Sequence, residues 1–102
     1  MNLPLVFHPD VQAEVDEAYE WYEQQQPGLG DDFLAALEAV YARLQATPQM
    51  HQVIYQDVRR SLTRRFPYAV YYRVHTDRVE VIAVQHGRRD PRAWQSRAGQ
   101  QP

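Results

Sequence analysis

The sequence predicts an α+β fold: an N-terminal strand, an αα-hairpin packed on a twisted, mainly antiparallel sheet of about four strands, and a short C-terminal helix. Two observations carry this. Between Asp10 and Ala46 the apolar residues recur at helical spacing, broken once at Pro27-Gly28-Leu29-Gly30. From Val53 to Gln85 the chain is β-branched, aromatic and punctuated by short turns, which reads as a meander. The 102 residues make a single domain, residues 1–102. A chain this size buries roughly two-thirds of the surface it exposes unfolded, enough for one core without staples.

The elements follow in order. Leu3 to Phe7 is an apolar run that Pro9 ends, and it reads as the first strand. Asp10 to Gln25 reads as a helix, with Val11, Val15, Ala18, Tyr19 and Tyr22 on one face. Pro9 and Asp10 suit its first turn, where a missing N–H and a negative charge are tolerated. A second helix is expected from Asp31 or Asp32 to about Ala46, its apolar face formed by Phe33, Leu37, Val40, Tyr41 and Leu44. Thr47-Pro48 ends it. Strands are expected at Val53–Gln56, Val58–Phe66, Tyr68–His75 and Arg78–Gln85. The centre of the last, Val81-Ile82-Ala83-Val84, is apolar on both faces, as a central strand requires. Asp90-Pro91 opens a brief helix through Arg97, and residues 98–102 are expected to fray. The hairpin should cover one sheet face, so that both hide their apolar sides.

Composition excludes several classes. With no cysteine there is no disulfide and no thiolate zinc site, which fits a reducing cytoplasm. The N-terminus has neither the basic region nor the apolar stretch of a signal peptide. No run approaches the roughly 20 apolar residues of a membrane span. No metal motif, phosphate loop or nucleophile elbow is present, so no cofactor is expected.

The net charge of −2 conceals an asymmetry. Met1 to Ala42 holds nine acidic residues and no Arg or Lys, and the remainder holds eleven Arg and four acidic residues, giving −9 and +7. The acidic face of the first helix, Asp16 and Glu20 among it, reads as a solvated surface, or else as one that meets arginines of the second half or of a partner. Nine arginines (59, 60, 64, 65, 73, 88, 89, 92 and 97) form an array around the strands. Because strand side chains alternate, some must share the face opposite the helices. Such a face is a candidate polyanion site. Protection of sheet edges by charge explains it equally well. His86 ends the last strand beside Gly87, Arg88 and Arg89. A histidine there can move protons near neutral pH, and guanidinium groups beside it can hold a phosphate. A lone histidine also serves as a hydrogen-bonding cap. His8, His51 and His75 show no metal spacing and read as structural, and Trp94 should anchor the last helix.

The chain resembles the RelE/ParE superfamily of bacterial toxins from type II toxin–antitoxin pairs. The resemblance rests on Trp21-Tyr22, on Gly28-Leu29-Gly30 followed by Phe33, and on Leu44 and Pro48. It continues through Arg65-Phe66-Pro67-Tyr68-Ala69-Val70-Tyr71-Tyr72-Arg73, the segment from Val81 to Pro91, and Trp94. It implies the fold already read from periodicity. It also implies growth inhibition, a part in plasmid stabilisation, and a cognate antitoxin whose flexible segment wraps the toxin. Operator DNA would be bound only through that antitoxin.

Activity divides within the superfamily. RelE-like members cut mRNA on the ribosome, whereas ParE-like members inhibit DNA gyrase. As a ribosome-dependent endoribonuclease, the chain would use His86 to shuttle a proton, with Arg65 and Arg73 completing the catalytic group. Arg59, Arg65, Arg73, Arg88 and Arg89 are the binding candidates. The chain lacks the lysines of several RelE-like nucleases, and its Trp-Tyr and Pro-Gly-Leu-Gly hairpin is more ParE-like. The expectation is therefore a gyrase inhibitor, with the endoribonuclease as the alternative and a decayed toxin that only binds its antitoxin as a third.

Overall fold

The computed structural model describes residues 2–99; residues 100–102 of the expected tail lie outside the described residues. The elements run β1 (Leu5–Phe7), α1 (Val11–Gln25), α2 (Leu29–Ala46), β2 (Val53–Tyr55), β3 (Val58–Leu62), β4 (Tyr68–Val74), β5 (Val79–His86) and α3 (Arg92–Ala98). They form one five-stranded sheet in the order β1-β5-β4-β3-β2. β1 runs parallel to β5, and the other pairings are antiparallel.

The expected hairpin is present and covers one face. Phe33, Leu37, Val40 and Leu44 of α2 and Val11, Ala18 and Tyr22 of α1 bury Val70, Tyr72, Val79, Val81 and Val84. The other face has its own smaller core, where Val58, Ala69, Tyr71, Ile82 and Ala83 lie under Trp94 and Ala98 of α3. Trp94 stacks on Tyr71 with ring centroids 4.3 Å apart. Such a stack adds about 1 kcal/mol beyond its buried area. A bulge makes the two cores compatible. Tyr71 pairs with Ala83 and Tyr72 with Val81, so Ile82 is an extra residue and joins Ala83 on the α3 side.

Several boundaries differ from the periodicity reading, most of them by one or two residues, and three have a visible structural reason. β3 stops at Leu62 instead of Phe66, because Arg65 adopts φ 71° and the Thr63 hydroxyl donates to the Phe66 and Tyr68 carbonyls. The alternating arginines beyond Leu62 therefore belong to a turn. α2 opens at Leu29, earlier than Asp31, since Gly28 takes φ 90° and the Glu23 carboxylate accepts from the N–H groups of Gly28 and Gly30. That carboxylate supplies the cap that no α2 side chain provides. Gly30 also lets the helices meet, since a Cβ there would come within 2.8 Å of the Tyr19 ring. Finally, Ala98 is helical and buried, so fraying does not begin there.

β5 has a strand neighbour on its outer edge only as far as Val81, where β1 ends. Beyond that point side chains close the edge. The Glu14 carboxylate accepts from the Val84 N–H at 3.1 Å, and the Arg97 guanidinium donates to the Ile82 carbonyl at 2.9 Å. Glu14 and Arg97 then meet each other in a two-pronged pair at 3.0 Å, with 11% of each side chain exposed. Gln85 Nε2 donates to the same carboxylate at 2.6 Å. The pair thus ties α1, β5 and α3 together around the sheet's edge.

A second polar knot holds the loop before β2. Tyr72 donates its hydroxyl proton to the Pro48 carbonyl at 2.8 Å, which leaves its oxygen only as an acceptor for His51 Nδ1 at 3.2 Å. His51 Nδ1 must therefore carry the proton, and Nε2 accepts from the Ser61 hydroxyl at 3.1 Å. Burial, followed by the positive charges of Arg43 and Arg59, holds His51 below its ordinary pKa of 6.5. The knot is a neutral-histidine device.

Two outcomes are expected. Arg97→Leu leaves Glu14 facing the edge without its cation and should lower stability by about 3 kcal/mol in urea titrations. The double variant Glu14→Leu/Arg97→Leu should recover part of that loss. An Arg97→Leu loss under about 0.5 kcal/mol, typical of a surface change, would contradict the latch. The His51 effect has the opposite sign from that of a paired histidine. The folded state resists protonation, so its contribution is complete above pH 6.5 and is lost as pH falls below that value. The stability difference between wild type and His51→Gln should therefore shrink from pH 7.5 to pH 5.5, and a constant difference would contradict it.

Candidate functional site

At the end of the sheet opposite β1's start, α1 and the tips of β4 and β5 enclose a cleft of about 340 Å³ lined by Glu17, Trp21, Tyr22, Pro67, Tyr68 and His86. Tyr22 forms its buried floor, held edge-on by Phe66 at 4.9 Å and by Tyr68 at 6.1 Å. Trp21 stands edge-on to Tyr22 at 5.1 Å with 56% of its surface exposed. It falls outside the apolar stripe of α1, which is why an aromatic side chain there stays in solvent. Next to the cleft is a smaller depression of about 80 Å³ that shares Glu17, Tyr68 and His86 and adds Glu14, Gln85 and Arg89. Burial and the nearby Glu17 carboxylate raise the Tyr68 pKa, partly offset by Arg89.

His86 is half-buried at the end of β5, edge-on to Tyr68 with centroids 5.6 Å apart. Its Nδ1 accepts the Arg88 backbone N–H at 3.0 Å. The neutral ring then carries its proton on Nε2 and offers a donor there instead of a basic lone pair.

The arginine array does not gather on one sheet face. α3 occupies part of the face opposite the hairpin, where Trp94 and Ala98 cover Val58, Ala69, Tyr71, Ile82 and Ala83. Arg59 lies on the hairpin side, opposite Tyr72, and donates to the carbonyls of Gln49 and His51. Arg65 is exposed in the turn after β3, 3.7 Å from Asp32 and over the Phe66 ring. Arg73 is buried: its guanidinium donates to the Ala98 carbonyl and lies 3.2 Å from Asp57. It clamps the end of α3 onto the sheet. Arg88 and Arg89 are exposed in the turn that follows His86, and Arg89 lines a depression with it. Of the expected site residues, the fold brings together His86, Arg88 and Arg89. It places Arg59, Arg65 and Arg73 elsewhere.

Periodicity reasoning passed over Glu17 and Tyr68 and met Trp21 only through a resemblance. The available signal was helical phase, since Glu17 and Trp21 are four residues apart on a flank of α1 that the core does not use. His75 pairs with Glu80 at 3.0 Å, and Asp16 accepts from Gln12, as side chains outside the site. Among the described residues no three His, Asp or Glu side chains group so as to hold a metal ion.

A second concavity of about 380 Å³ lies between β1 and the hairpin, lined chiefly by Phe7, Val11, Val15, Leu34, Leu37 and Tyr41. Phe7 is half-exposed there, edge-on to Tyr41 at 5.4 Å. Burial pushes the Tyr41 hydroxyl up to about 12. β1 is an edge strand, so this groove runs beside an open sheet edge.

Residues 5–91 match the family model for the ParE toxin of the type II toxin-antitoxin system, parDE. The chain belongs to that family. Toxin ParE2 of Mycobacterium tuberculosis, in strain CDC 1551 / Oshkosh and in strain ATCC 25618 / H37Rv, is 28% identical over 94 residues, covering 91% of this chain and 90% of the relative. The fold is that of a solved structure of the chromosomal ParDE TA system from P. aeruginosa, with TM-score 0.73 and 16% identity over 82% of this chain and 95% of that one. ParE-family membership makes the chain a toxin of a type II system and implies an antitoxin partner. Among the described residues no helix is long and apolar enough to cross a membrane.

Proposed function

We propose that this ParE-family toxin inhibits growth by binding DNA gyrase rather than by cutting RNA, and that its antitoxin silences it. The observation that carries the reading is the dispersal of the cations a nuclease would need. RNA cleavage calls for a base, an acid and guanidinium groups converging on one phosphate. Arg73 is spent on the Ala98 carbonyl and Asp57, Arg65 leans on Asp32, and only the Arg88-Arg89 turn adjoins His86. The tautomer of His86 supports the same reading, since the Arg88 N–H occupies the nitrogen that could accept a proton. What the fold does offer is surface: an aromatic cleft at one end and an apolar groove beside β1. We assign the groove to the antitoxin, whose flexible segment would lay apolar side chains over Val15 and Leu34 along the open edge of β1.

Induced expression of the chain alone, with pulse labelling of macromolecular synthesis, tests this. DNA synthesis should stop before protein synthesis, with filamentation and an SOS response, and message should stay intact. His86→Ala should remain toxic. Early arrest of protein synthesis that His86→Ala abolishes would establish the endoribonuclease instead, and continued growth would make the chain a decayed toxin.

A further inference from the structure

We infer that the Trp21 cleft is a receptor for an arginine or lysine side chain presented by the toxin's protein target, a step that builds on the binding-toxin reading. The cleft combines an apolar shelf with a single carboxylate. Trp21, Tyr22, Pro67 and Tyr68 supply the shelf, and Glu17 supplies its only acidic group. An aliphatic stem lies well on such rings while its charged head seeks an anion. A guanidinium or ammonium over an indole gains a cation–π attraction as well.

The charges around the cleft favour a cation. Glu14 is saturated by Arg97, Val84 and Gln85, and Glu23 caps α2. Glu17 and Glu20 carry no hydrogen bond or ion pair among the described residues, and both are exposed on α1, Glu17 one turn before Trp21. α1 itself contains no basic residue. Arg89 lines the smaller depression, and Arg97 beside it is taken up by Glu14. That depression also contains Gln85, 2% exposed, whose Oε1 is buried and has no partner among the described residues. The amide cannot reverse, because its Nε2 donates to the Glu14 carboxylate at 2.6 Å.

The occupant belongs to the target and not to the antitoxin because the two concavities use different flanks of α1. The groove by β1 takes Val11, Gln12 and Val15, whereas the cleft takes Glu17 and Trp21. A segment confined to the groove would leave the cleft open.

The test is a chemical-shift titration of the full chain with the peptide acetyl-Ala-Arg-Ala-amide. Matched peptides carrying norleucine or glutamate, and uridine monophosphate, serve as the other probes. The arginine peptide should shift the Trp21 indole N–H and the His86 ring saturably, and the other probes should not. Trp21→Ala and Glu17→Gln, both at exposed positions, should each weaken binding roughly fivefold or more while leaving the spectrum of the core intact. With antitoxin bound, the shifts should persist. Equal shifts from the norleucine peptide would reduce the cleft to an apolar patch. Shifts from the nucleotide alone would make it an anion site. Their loss on adding antitoxin would hand the cleft to the antitoxin. Each of these outcomes, or a silent titration, overturns the inference. None of them bears on whether DNA synthesis arrests first, so failure here and failure of the gyrase reading are separable.

Discussion

A sheet whose longest strand is covered on both faces still has to close its edges. β5 is buried from Val79 to Gln85, yet β1 shields its outer edge only as far as Val81. The Glu14–Arg97 pair completes the closure by engaging the Ile82 carbonyl and the Val84 N–H with side chains. Unpaired backbone groups at that position would cost free energy and invite a foreign strand. The same two side chains fix how α1 and α3 sit across the sheet. α1 in turn presents Glu17 and Trp21, and α3 in turn needs Arg73 beneath its last carbonyl. The division of the arginines between scaffold and surface follows from this closure.

The charge asymmetry of the sequence acquires a physical meaning. The acidic half supplies carboxylates that cap and latch: Glu23 on α2, Glu14 on β5, and Asp32 beside Arg65. The basic half supplies guanidinium groups that cross to carbonyls and carboxylates elsewhere in the chain, as Arg59, Arg73 and Arg97 do. Arginine suits that task because its planar fork serves two acceptors at once. Charges with no such partner among the described residues include the Glu17 and Glu20 carboxylates and the Arg88 and Arg89 guanidinium groups. Glu17 lines the aromatic cleft and Arg89 the depression beside it, so free charge of both signs stands next to the same rings.

Much of the fold was legible because it is written in local period. The stripes Val11-Val15-Ala18-Tyr22 and Phe33-Leu37-Val40-Leu44 face the sheet as their spacing requires, and the doubly apolar run at Val81–Val84 is indeed covered on both sides. The misplaced ends of α2 and β3 involve side-chain-to-backbone contacts that period does not encode, Glu23 capping Gly30 and Thr63 closing the turn that ends β3. The site was less legible. Arg73 reads as a strand-borne surface cation, and only α3 folding back over the sheet reveals it as a clamp. The Glu14–Arg97 pair joins residues 83 positions apart, beyond any motif. His86 was found from its place at a strand end, but its tautomer follows from a backbone N–H two residues on.

The central claim, a toxin that works by occupying a protein target, is tested most directly with purified components. The chain is added to DNA gyrase and relaxed plasmid, with and without antitoxin, and in parallel to a translating extract with labelled message. The account expects supercoiling to be blocked, antitoxin to restore it, and the message to stay whole. Unimpaired supercoiling together with message cut in the extract would contradict it.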